Sequence, residues 1–457
     1  MLAQTDDDNR PVRRAADLVE IFSSAEKAPA EFRIGAESEK FGVNTETGAP
    51  LSYDGAFSVT RLFQWLMEER GWEPERESAA GPVIALRRGT QSITLEPGSQ
   101  FELSGSPLTD LHGVRAEFDA HFEELAPIAK EMGLTWLGVG FQPLASQADL
   151  SWVPKQRYAI MREYLPPLGD AAHDMMRRTA TVQVNLDYSS EADAMRKLVV
   201  GLKLSPLVHA LSANAPFIER RVAGKKSVRG DVWLHMDPSR SGLVARVLRA
   251  REPRYSDYVE WALDSGMFLI KRGTETLANT GQPFRDYLES GYRSERATFG
   301  DWKLHLNTLF PEVRLKNTIE ARCADSQKLA LSTAVPALWV GLFYDDTALA
   351  RAEDLAREID LDALFASRSA LVTRGLDASI GATPVRPLAE RLLQIAADGL
   401  DRRALLDSNG KTERVHLDPL IALTSRGRTP ADELLDGLTG YGPFSVGELV
   451  KRTGALR

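Results

Sequence analysis

The clearest pattern in this chain is a strict alternation of apolar and polar positions over residues 179–187. Val182, Val184 and Leu186 take every second position, and polar residues stand between them. A β-strand sends successive side chains to opposite faces of its sheet, so the pattern predicts a half-buried strand. Its polar face is either an ordinary solvated surface or the wall of a cleft. The polar positions carry three uncharged side chains, Thr181, Gln183 and Asn185. They favour the cleft, because solvated strand faces usually carry Lys and Glu.

A helical period replaces this alternation in two other segments. Residues 109–132 carry apolar side chains three or four positions apart, which predicts a long surface helix packed on a sheet and ended by Gly133. Residues 387–397 predict a second amphipathic helix, ended by Gly399.

Helices and strands alternate irregularly in the rest of the chain. We predict helices at residues 15–24 and 58–69 and strands at 32–43, 83–86 and 92–95. The expected organisation is a flexible tail at 1–14, a mixed α+β unit at 15–350, and a helical C-terminal part at 351–457 packed on the same unit.

The composition is that of an ordinary soluble globular protein. The chain has 457 residues, of which 43% are hydrophobic and 26% are charged. No run of about eighteen apolar residues occurs, so we expect no membrane-spanning segment. The net charge of −8 argues against non-specific nucleic-acid binding, which needs a clustered basic surface.

The cysteine content suggests a compartment. Cys323 is the single cysteine, so no disulfide forms within one chain and folding does not depend on an oxidising environment. The segment around Asp6, Asp7 and Asp8 lacks the apolar core of a signal peptide. We therefore expect a cytoplasmic location.

Carboxylates at alternate or isolated strand positions carry the first chemical signal. Glu37 and Glu39 are two residues apart, so they point to the same face of a strand. Further glutamates stand in two other strand-like segments: Glu96, Glu102 and Glu320. Carboxylates gathered on one face repel one another unless cations lie among them, and the natural cation is Mg²⁺ or Mn²⁺. Magnesium in turn suggests a nucleotide.

Common motifs of other enzyme classes are missing from the sequence. It has no phosphate-binding loop with Gly-Lys-Ser/Thr, no Gly-x-Gly-x-x-Gly, no His-Glu-x-x-His and no Gly-x-Ser-x-Gly. The seven histidines and one cysteine show no zinc-ligand spacing.

Four ordered segments resemble glutamate–cysteine ligases of the plant and proteobacterial type. They read RIGAESEKFG at 33–42, ITLEPGSQFELSG at 93–105, MMRRTATVQVNLD at 175–187 and FPEVRLK at 310–316. The resemblance runs from about residue 32 to residue 346, with a weaker echo beyond. It implies a glutamine-synthetase-like α+β fold, with residues 15–350 as the catalytic domain. An antiparallel sheet forms a funnel that holds the active site, and helices cover its outer face.

The resemblance also implies a reaction. The family joins the γ-carboxylate of glutamate to the amine of cysteine through γ-glutamyl phosphate, as the first step of glutathione synthesis. The expected partners are small molecules: glutamate, cysteine, ATP and Mg²⁺. We expect no nucleic-acid or membrane partner and a monomer or weak homodimer.

The site residues follow from the matched motifs. The implied magnesium ligands are Glu37, Glu39, Glu96, Glu102 and Glu320. Glu320 and Arg322 form the catalytic Glu-x-Arg pair. The substrate side takes Arg229, Trp233, Arg240, Gln183 and Asn185, and the ATP side takes Arg314, Lys316, Arg157 and Arg178. Simpler alternatives are a surface ion pair for Glu320 and Arg322, core packing for Trp233, and a solvated strand edge for Arg314 and Lys316.

Two positions depart from the family pattern. Ser38 stands where the family usually has His, and the alternation predicts that it points away from Glu37 and Glu39. Cys323 stands where the family usually has Gly. An altered selectivity marked by Ser38 or Cys323 is the first alternative, a γ-glutamyl ligase with another amine acceptor. A second alternative is a non-catalytic sensor of nucleotide or glutamate, which loss of a metal carboxylate would favour, yet all five glutamates and Arg322 are present.

Overall fold

The computed structural model describes residues 9–273 and 275–456, and its centre is an antiparallel β-sheet. The strands are β1 (Ile34–Asn44), β2 (Glu73–Arg76), β3 (Val83–Arg88), β4 (Gln91–Leu95), β5 (Phe101–Ser104), β6 (Leu134–Leu137), β7 (Val182–Leu186), β8 (Phe217–Ile218), β9 (Arg221–Val222), β10 (Ser241–Gly242), β11 (Ile270–Arg272), β12 (Glu275–Leu277), β13 (Phe310–Pro311), β14 (Val313–Leu315), β15 (Ile319–Ala321), β16 (Ser379–Ile380) and β17 (Thr383–Pro384).

The α-helices surround this sheet. They are α1 (Glu20–Ser23), α2 (Val59–Arg70), α3 (Leu111–Met132), α4 (Gln156–Tyr164), α5 (Ala172–Arg178), α6 (Glu191–Leu211), α7 (Val228–Leu234), α8 (Ala245–Arg249), α9 (Tyr255–Leu263), α10 (Phe284–Ser290), α11 (Phe299–Leu306), α12 (Leu329–Ser332), α13 (Ala334–Phe343), α14 (Asp346–Glu358), α15 (Leu361–Arg374), α16 (Val385–Arg403), α17 (Asp418–Ser425), α18 (Pro430–Leu435) and α19 (Val446–Thr453).

The main sheet has the strand order β14-β15-β7-β1-β5-β4-β3-β2, and β6 pairs with the far end of β1. Strand β1 is central. Its Glu39 lies opposite Glu102 of β5, and its Glu37 lies opposite Gln183 of β7. Ser38 is in register with Leu103 and Val182, so it belongs to the opposite face, as the alternation predicts.

The two faces of the sheet differ in polarity. Val182, Val184 and Leu186 of β7 are buried in the main hydrophobic core. Helix α13 packs on this side of β7 and β1, and all of its ten residues are buried. The predicted α+β class, an antiparallel sheet with helices on its outer face, is therefore confirmed.

Helix α3 forms where the periodicity predicts it. The Oδ1 atom of Asp110 accepts a hydrogen bond of 2.8 Å from the backbone N–H of Gly113 and caps the first turn. The helix ends at Gly133, whose φ of 63° is the left-handed conformation that glycine adopts at little steric expense.

The predicted end of the helix at Gly399 is wrong. Helix α16 continues through Gly399 to Arg403 and ends at Ala404, whose φ is 52°. Gly399 lies where α16 crosses α13, and a Cβ atom there would collide with the carbonyl oxygen of Gly341. The glycine is therefore needed for close helix packing rather than for a helix end.

The predicted flexible tail lies partly outside the described residues, which begin at residue 9. Within them, the prediction does not hold for residues 9–14. Val12 is buried and its N–H donates to the carbonyl of Ala297, and the guanidinium of Arg10 lies 3.9 Å from the ring centre of Phe299. The predicted helix at 15–24 forms as a 3-10 turn, Ala15–Val19, followed by α1.

Within residues 9–273 and 275–456, no helix combines the length and the hydropathy needed to cross a membrane. The division of the chain at residues 350 and 351 stays a prediction.

Replacing Gly399 with Ala should destabilise the protein by about 1–3 kcal/mol, because the new methyl group overpacks the contact with Gly341. The matched control is Gly447→Ala, on the exposed first turn of α19, where a Cβ atom meets nothing within 4 Å. This control should stabilise the protein by up to about 1 kcal/mol. Urea unfolding of both variants measures the difference, and equal effects would contradict the proposed role of the helix crossing.

Candidate active site

A large cavity, which we call the funnel cavity, lies over the polar face of the sheet. The volume open to the centre of a water molecule is about 340 Å³. Charged side chains of both signs line it. The acids are Glu37, Glu39, Glu75, Glu77, Glu96, Glu102 and Glu320, and the bases are Lys155, Arg157, Arg229, Arg314, Lys316 and Arg322.

The acidic side of the funnel cavity is built on β1, β4 and β5. Glu39 accepts hydrogen bonds from the N–H of Thr181 at 2.9 Å and from Nε2 of Gln183 at 3.2 Å. Glu102 lies directly across from Glu39 and accepts from the hydroxyl of Thr94. Like charges in directly opposite positions destabilise a strand pair, so this part of the sheet needs a compensating positive charge.

The pKa values show how strongly these carboxylates interact. Burial, with the nearby carboxylate of Glu96, raises the pKa of Glu39 to about 8. Burial also raises the pKa of Glu102 well above its ordinary value, and the charges of Glu37, Glu39 and Glu96 add to the effect. Burial and mutual repulsion therefore favour the protonated forms of Glu39 and Glu102 when no cation is bound.

A tight turn places Glu96 beside this group. The N–H of Ser99 donates to the carbonyl of Glu96, and Ser99 has a φ of 68°. Gln100 fastens the turn to the end of α5 through hydrogen bonds of 3.1 and 3.0 Å to the carbonyls of Met176 and Thr179. Gly98 is required, because a Cβ atom there would collide with the carbonyl of Arg177.

The basic side of the funnel cavity is built on β14 and β15 around Glu320. Arg314 contacts both carboxylate oxygens of Glu320, at 2.7 and 3.0 Å. Lys316 lies 3.0 Å and Arg322 lies 3.1 Å from the same carboxylate. Arg322 also donates to the side-chain Oε1 of Gln183 at 2.7 Å. One acid thus organises three cations on this side.

The role of Glu320 as a magnesium ligand stays a prediction, and in this structure Glu320 is the anion that three cations share. Burial alone would raise the pKa of Glu320, but the charges of Arg314, Lys316 and Arg322 hold it well below its ordinary value. Both oxygens are occupied, and a divalent cation at Glu320 would face three positive charges. The simpler alternative of a solvated surface pair fails, because Arg314 and Glu320 are buried.

A third wall of the funnel cavity comes from α4 and the residue before it. Lys155 donates to the carbonyl of Leu95 at 2.8 Å, and burial, with the charge of Arg157, lowers its pKa to about 8. Arg157 also lines the cavity, and its buried Nε has no hydrogen-bond partner. The sequence analysis missed Lys155, because a single lysine before a short helix carries no periodic signal.

Arg229 and Trp233 of α7 line the cavity as predicted for the substrate side, but Arg229 is not free for two-pronged binding. Its terminal nitrogens donate to the carbonyls of Cys323 at 3.0 Å and Arg322 at 2.8 Å. Its buried Nε remains without a partner, as does the buried Nε1 of Trp233.

Two predicted arginines lie outside the cavity lining. Arg240 is buried and donates to Asp237, to the carbonyl of Gly266 and to the carbonyl of Thr308, so its guanidinium holds the chain rather than a carboxylate ligand. Arg178 lies over the ring of Phe141 and pairs with Asp174 and Glu219. We correct both assignments, since these guanidinium groups are engaged elsewhere.

Asn185 also differs from its predicted role. Its Nδ2 donates to Glu37 at 2.8 Å, and its Oδ1 accepts from Thr318 at 3.0 Å. It therefore orients a carboxylate of the cavity and does not itself line it. Gln183 lines the cavity and connects Glu39 with Arg322.

The acidic side suits a hard divalent cation, because carboxylate oxygens are the ligands that such a cation prefers. Within the described part of the chain, no three Asp, Glu, His or Cys groups lie close enough together to hold a metal ion. Magnesium commonly uses one or two carboxylates and completes its shell with water and substrate phosphates, so the two facts agree.

Comparison with known proteins identifies the family. The sequence model of glutamate–cysteine ligase family 2 (GCS2) matches residues 33–451. The chain belongs to this family. Glutamate–cysteine ligases of plants are also similar to it over most of their length. That of Medicago truncatula is 38% identical and that of Arabidopsis thaliana 39%, and the matches cover 94% of this chain and 83% and 81% of those proteins. Ligase A of Oryza sativa subsp. indica is 40% identical over 92% of this chain and 84% of that protein.

A solved structure of the same fold is the glutamate–cysteine ligase of Francisella tularensis in complex with AMP. It aligns with a TM-score of 0.53 over 94% of this chain and 88% of that chain, at 11% identity. At this identity the likeness concerns the fold.

The predicted cytoplasmic location is wrong by comparison with the family members, because the plant relatives are named as chloroplastic proteins. The physical reason is that a single cysteine indicates only that folding needs no oxidising environment. It does not distinguish one reducing compartment from another.

Replacing Glu320 with Gln should destabilise the protein by about 3–5 kcal/mol, because three clustered cations lose their shared buried anion. The matched control is Glu353→Gln on α14, which removes an equally two-pronged pair with Arg196 at the surface. This control should change the unfolding free energy by less than about 1 kcal/mol. Urea unfolding tests both variants, and similar losses would contradict the role of Glu320 as an anchor.

The metal-free protein should lose stability as the pH rises from about 4.5 to about 8, in a component that depends on Glu39. Its folded pKa, about 8, lies above the ordinary value of 4.5. Its contribution is therefore complete below the unfolded pKa and is lost as the pH rises through the folded one. Melting temperatures measured in a chelator should fall more steeply in the wild type than in Glu39→Gln. Parallel curves for the two proteins would contradict this account, and Glu353→Gln should follow the wild type.

Proposed function

We propose that the protein is an ATP-dependent ligase that joins the γ-carboxylate of glutamate to the amine of cysteine, through γ-glutamyl phosphate. Membership of glutamate–cysteine ligase family 2 supports this activity. The names of the plant relatives and the AMP bound in the Francisella enzyme support the acceptor and the nucleotide, respectively. The product is the first intermediate of glutathione synthesis.

The observation that carries the proposal is the separation of charge in the funnel cavity. Carboxylates of β1, of β5 and of the turn after β4 lie on one side, and the cations in and directly after β14 and β15 lie on the other. A nucleoside triphosphate needs both: carboxylates reach its phosphates through divalent cations, and basic side chains contact the phosphates directly. Glutamate also needs cationic partners for its own carboxylates.

In the first step, an oxygen of the glutamate γ-carboxylate attacks the γ-phosphorus of ATP. A bond forms between that oxygen and phosphorus, the bond from phosphorus to the bridging oxygen breaks, and ADP leaves. Arg322 and Lys316 are suited to stabilise the transferring phosphoryl group, because Glu320 and Gln183 hold them on the cavity wall before substrate arrives. Arg314 supports Glu320 from behind.

In the second step, the amine of cysteine attacks the carbonyl carbon of γ-glutamyl phosphate. A carbon–nitrogen bond forms, the bond from carbon to the phosphate oxygen breaks, and inorganic phosphate leaves as the nitrogen loses a proton. Phosphorylation is necessary because a free carboxylate repels nucleophiles and has no adequate leaving group. The same basic side chains can retain the departing phosphate.

We propose Glu37, Glu39, Glu96 and Glu102 as the residues that would hold Mg²⁺. Bound magnesium would neutralise the phosphates of ATP and polarise the phosphorus that is attacked. Asn185, Thr181 and Thr94 orient three of these carboxylates by hydrogen bonds, at Glu37, Glu39 and Glu102 respectively. Arg157 and Lys155 lie near Glu96 and are the proposed further contacts to ATP.

The test is release of ADP by the purified protein with Mg²⁺, ATP and glutamate, in the presence of cysteine or of other amines. We expect ADP release to depend on cysteine, with γ-glutamylcysteine detected by mass. A chelator should abolish turnover and excess Mg²⁺ should restore it. Glu102→Gln should lower kcat by about a hundredfold or more, because the charge that holds the cation is lost, whereas Glu353→Gln at the surface should leave kcat unchanged.

Two results would overturn the proposal. Turnover that requires an amine other than cysteine would keep the phosphoryl chemistry and change the acceptor. A protein that binds ATP without any glutamate-dependent ADP release would be a sensor rather than a ligase.

A further inference from the structure

A fully buried carboxylate, that of Asp325, lies outside the lining of the funnel cavity and close behind it. Its Oδ2 accepts a hydrogen bond from the N–H of Asn214 at 2.7 Å, and its Oδ1 accepts one from the hydroxyl of Ser227 at 2.9 Å. A Cβ atom at Gly140 would collide with the carboxyl carbon, so the glycine makes room for it. Burial of a charge is unfavourable unless the charge is paired, so the partner of Asp325 indicates what it does.

The cation that pairs with Asp325 is Arg229. Its Nη1 lies 3.7 Å from Oδ1 of Asp325. The Nε2 of His209 lies 3.8 Å from the same oxygen, but burial lowers the pKa of His209 to about 3, so this imidazole is neutral. Burial raises the pKa of Asp325 to about 6, and the charge of Arg229 opposes a larger rise. The ionised carboxylate is therefore favoured near neutral pH, and the two side chains form a buried ion pair.

Asp325 also fixes the first turn of α7, the helix that carries Arg229. Ser227 is the N-cap of this helix, and its Oγ accepts from the N–H of Gly230 at 2.9 Å. The hydroxyl of Ser227 donates in turn to Asp325. The backbone of the turn and the guanidinium that the turn carries are thus held by the same carboxylate.

Arg229 passes this constraint on to the end of β15. Its terminal nitrogens donate to the carbonyl of Arg322 at 2.8 Å and to that of Cys323 at 3.0 Å. The N–H of Arg322 donates to the carbonyl of Glu312 at 3.0 Å, so the main chain of Arg322 is held on both sides. Contacts therefore lead from the buried Asp325 to the cation that is suited to stabilise the transferring phosphoryl group.

We propose that Asp325 is a positioning residue for phosphoryl transfer, which holds Arg229 in place and, through Arg229, the main chain of Arg322. This proposal rests on the ligase function proposed above. Asp325 itself touches no substrate. A displacement of about 1 Å in a group that acts on the transition state can reduce the rate by about a hundredfold. Loss of the buried carboxylate therefore acts on kcat, whereas the carboxylates proposed to hold magnesium stay as they are.

The first experiment measures ADP release by Asp325→Asn with Mg²⁺, ATP, glutamate and cysteine, per folded protein. Asparagine keeps the shape and the hydrogen-bonding groups and removes the charge. The kcat should fall by about tenfold to a hundredfold, with the KM of ATP unchanged within about threefold. A role in stability alone would lower the melting temperature and leave kcat of the folded protein unchanged, and that result would overturn the proposal.

The matched control is Asp301→Asn. Asp301 is also buried, and it accepts from the hydroxyl of Thr298, the N-cap of α11. It pairs with Arg272, which likewise donates to two backbone carbonyls. Neither Asp301 nor Arg272 lines the funnel cavity. The control should lower the melting temperature and keep the wild-type kcat, and an equal loss of kcat in both variants would overturn the proposal.

The second experiment is a double-mutant cycle with Arg229→Gln. The double variant should have the kcat of Arg229→Gln within about threefold, because the group that Asp325 holds is already gone. It should also melt at a higher temperature than Arg229→Gln, because a neutral amide replaces an unpaired buried carboxylate. Losses of kcat that multiply would show that Asp325 does not act through Arg229.

If Asp325→Asn fails to fold, Ser227→Ala decides. It removes the hydroxyl that connects Asp325 with α7, and it should lower kcat by about threefold or more. Its control is Thr298→Ala, which removes the corresponding hydroxyl beside Asp301 and should keep the wild-type kcat. Equal kcat values in these two variants would overturn the proposal. If the wild type shows no glutamate-dependent ADP release, the proposed function fails and this proposal fails with it.

Discussion

The antiparallel pairing of β1 with β5 and β7 is the constraint on which the rest of the molecule depends. It brings Glu37, Glu39 and Glu102 to one face and Ala36, Ser38 and Leu103 to the other. A register slip by one residue would exchange these faces, burying carboxylates in the helical core and exposing apolar side chains. Because one face packs against α13, the hydrophobic effect fixes the register. The same register then gathers carboxylates whose repulsion is relieved by protons or by bound cations.

The basic side and the acidic side of the funnel cavity are held in place in different ways. The cations of β14 and β15 share a single buried acid, so their positions are set within the protein. Burial and mutual repulsion raise the pKa values of Glu39 and Glu102 on the acidic side, although Arg229 and Arg322 act on Glu39 and Lys155 and Arg157 lie near Glu96. Contacts within the protein already hold the basic side in place, whereas the acidic side favours bound cations. This arrangement suits a nucleotide that binds together with its metal.

The sequence allowed prediction of what depends on local periodicity. The alternation in β7, the period of α3 and the glutamate pair of β1 all follow from side-chain spacing, and the structure has them. Contacts between distant segments were not predictable in this way. The sequence predicts a helix end at Gly399 because it does not show that α13 packs there. It predicts Arg240 as a ligand-binding residue because it does not show the carbonyls that surround the guanidinium. The contacts of Glu320 were not predictable either, because its three cations are brought together only by the fold of β14 against β15.

Residues of β1 that face the funnel cavity alternate with residues that face the hydrophobic core. No structural layer therefore separates the catalytic face of the sheet from the core. A carboxylate that would bind metal and a side chain that packs under α13 are joined by one peptide bond. The crossing of α13 with α16 at Gly341 and Gly399 sets how closely these two helices pack, and α13 in turn packs on β7 and β1. Substitutions that displace α13 therefore act on the two strands that carry acids and their partners, although they lie in the helical layer.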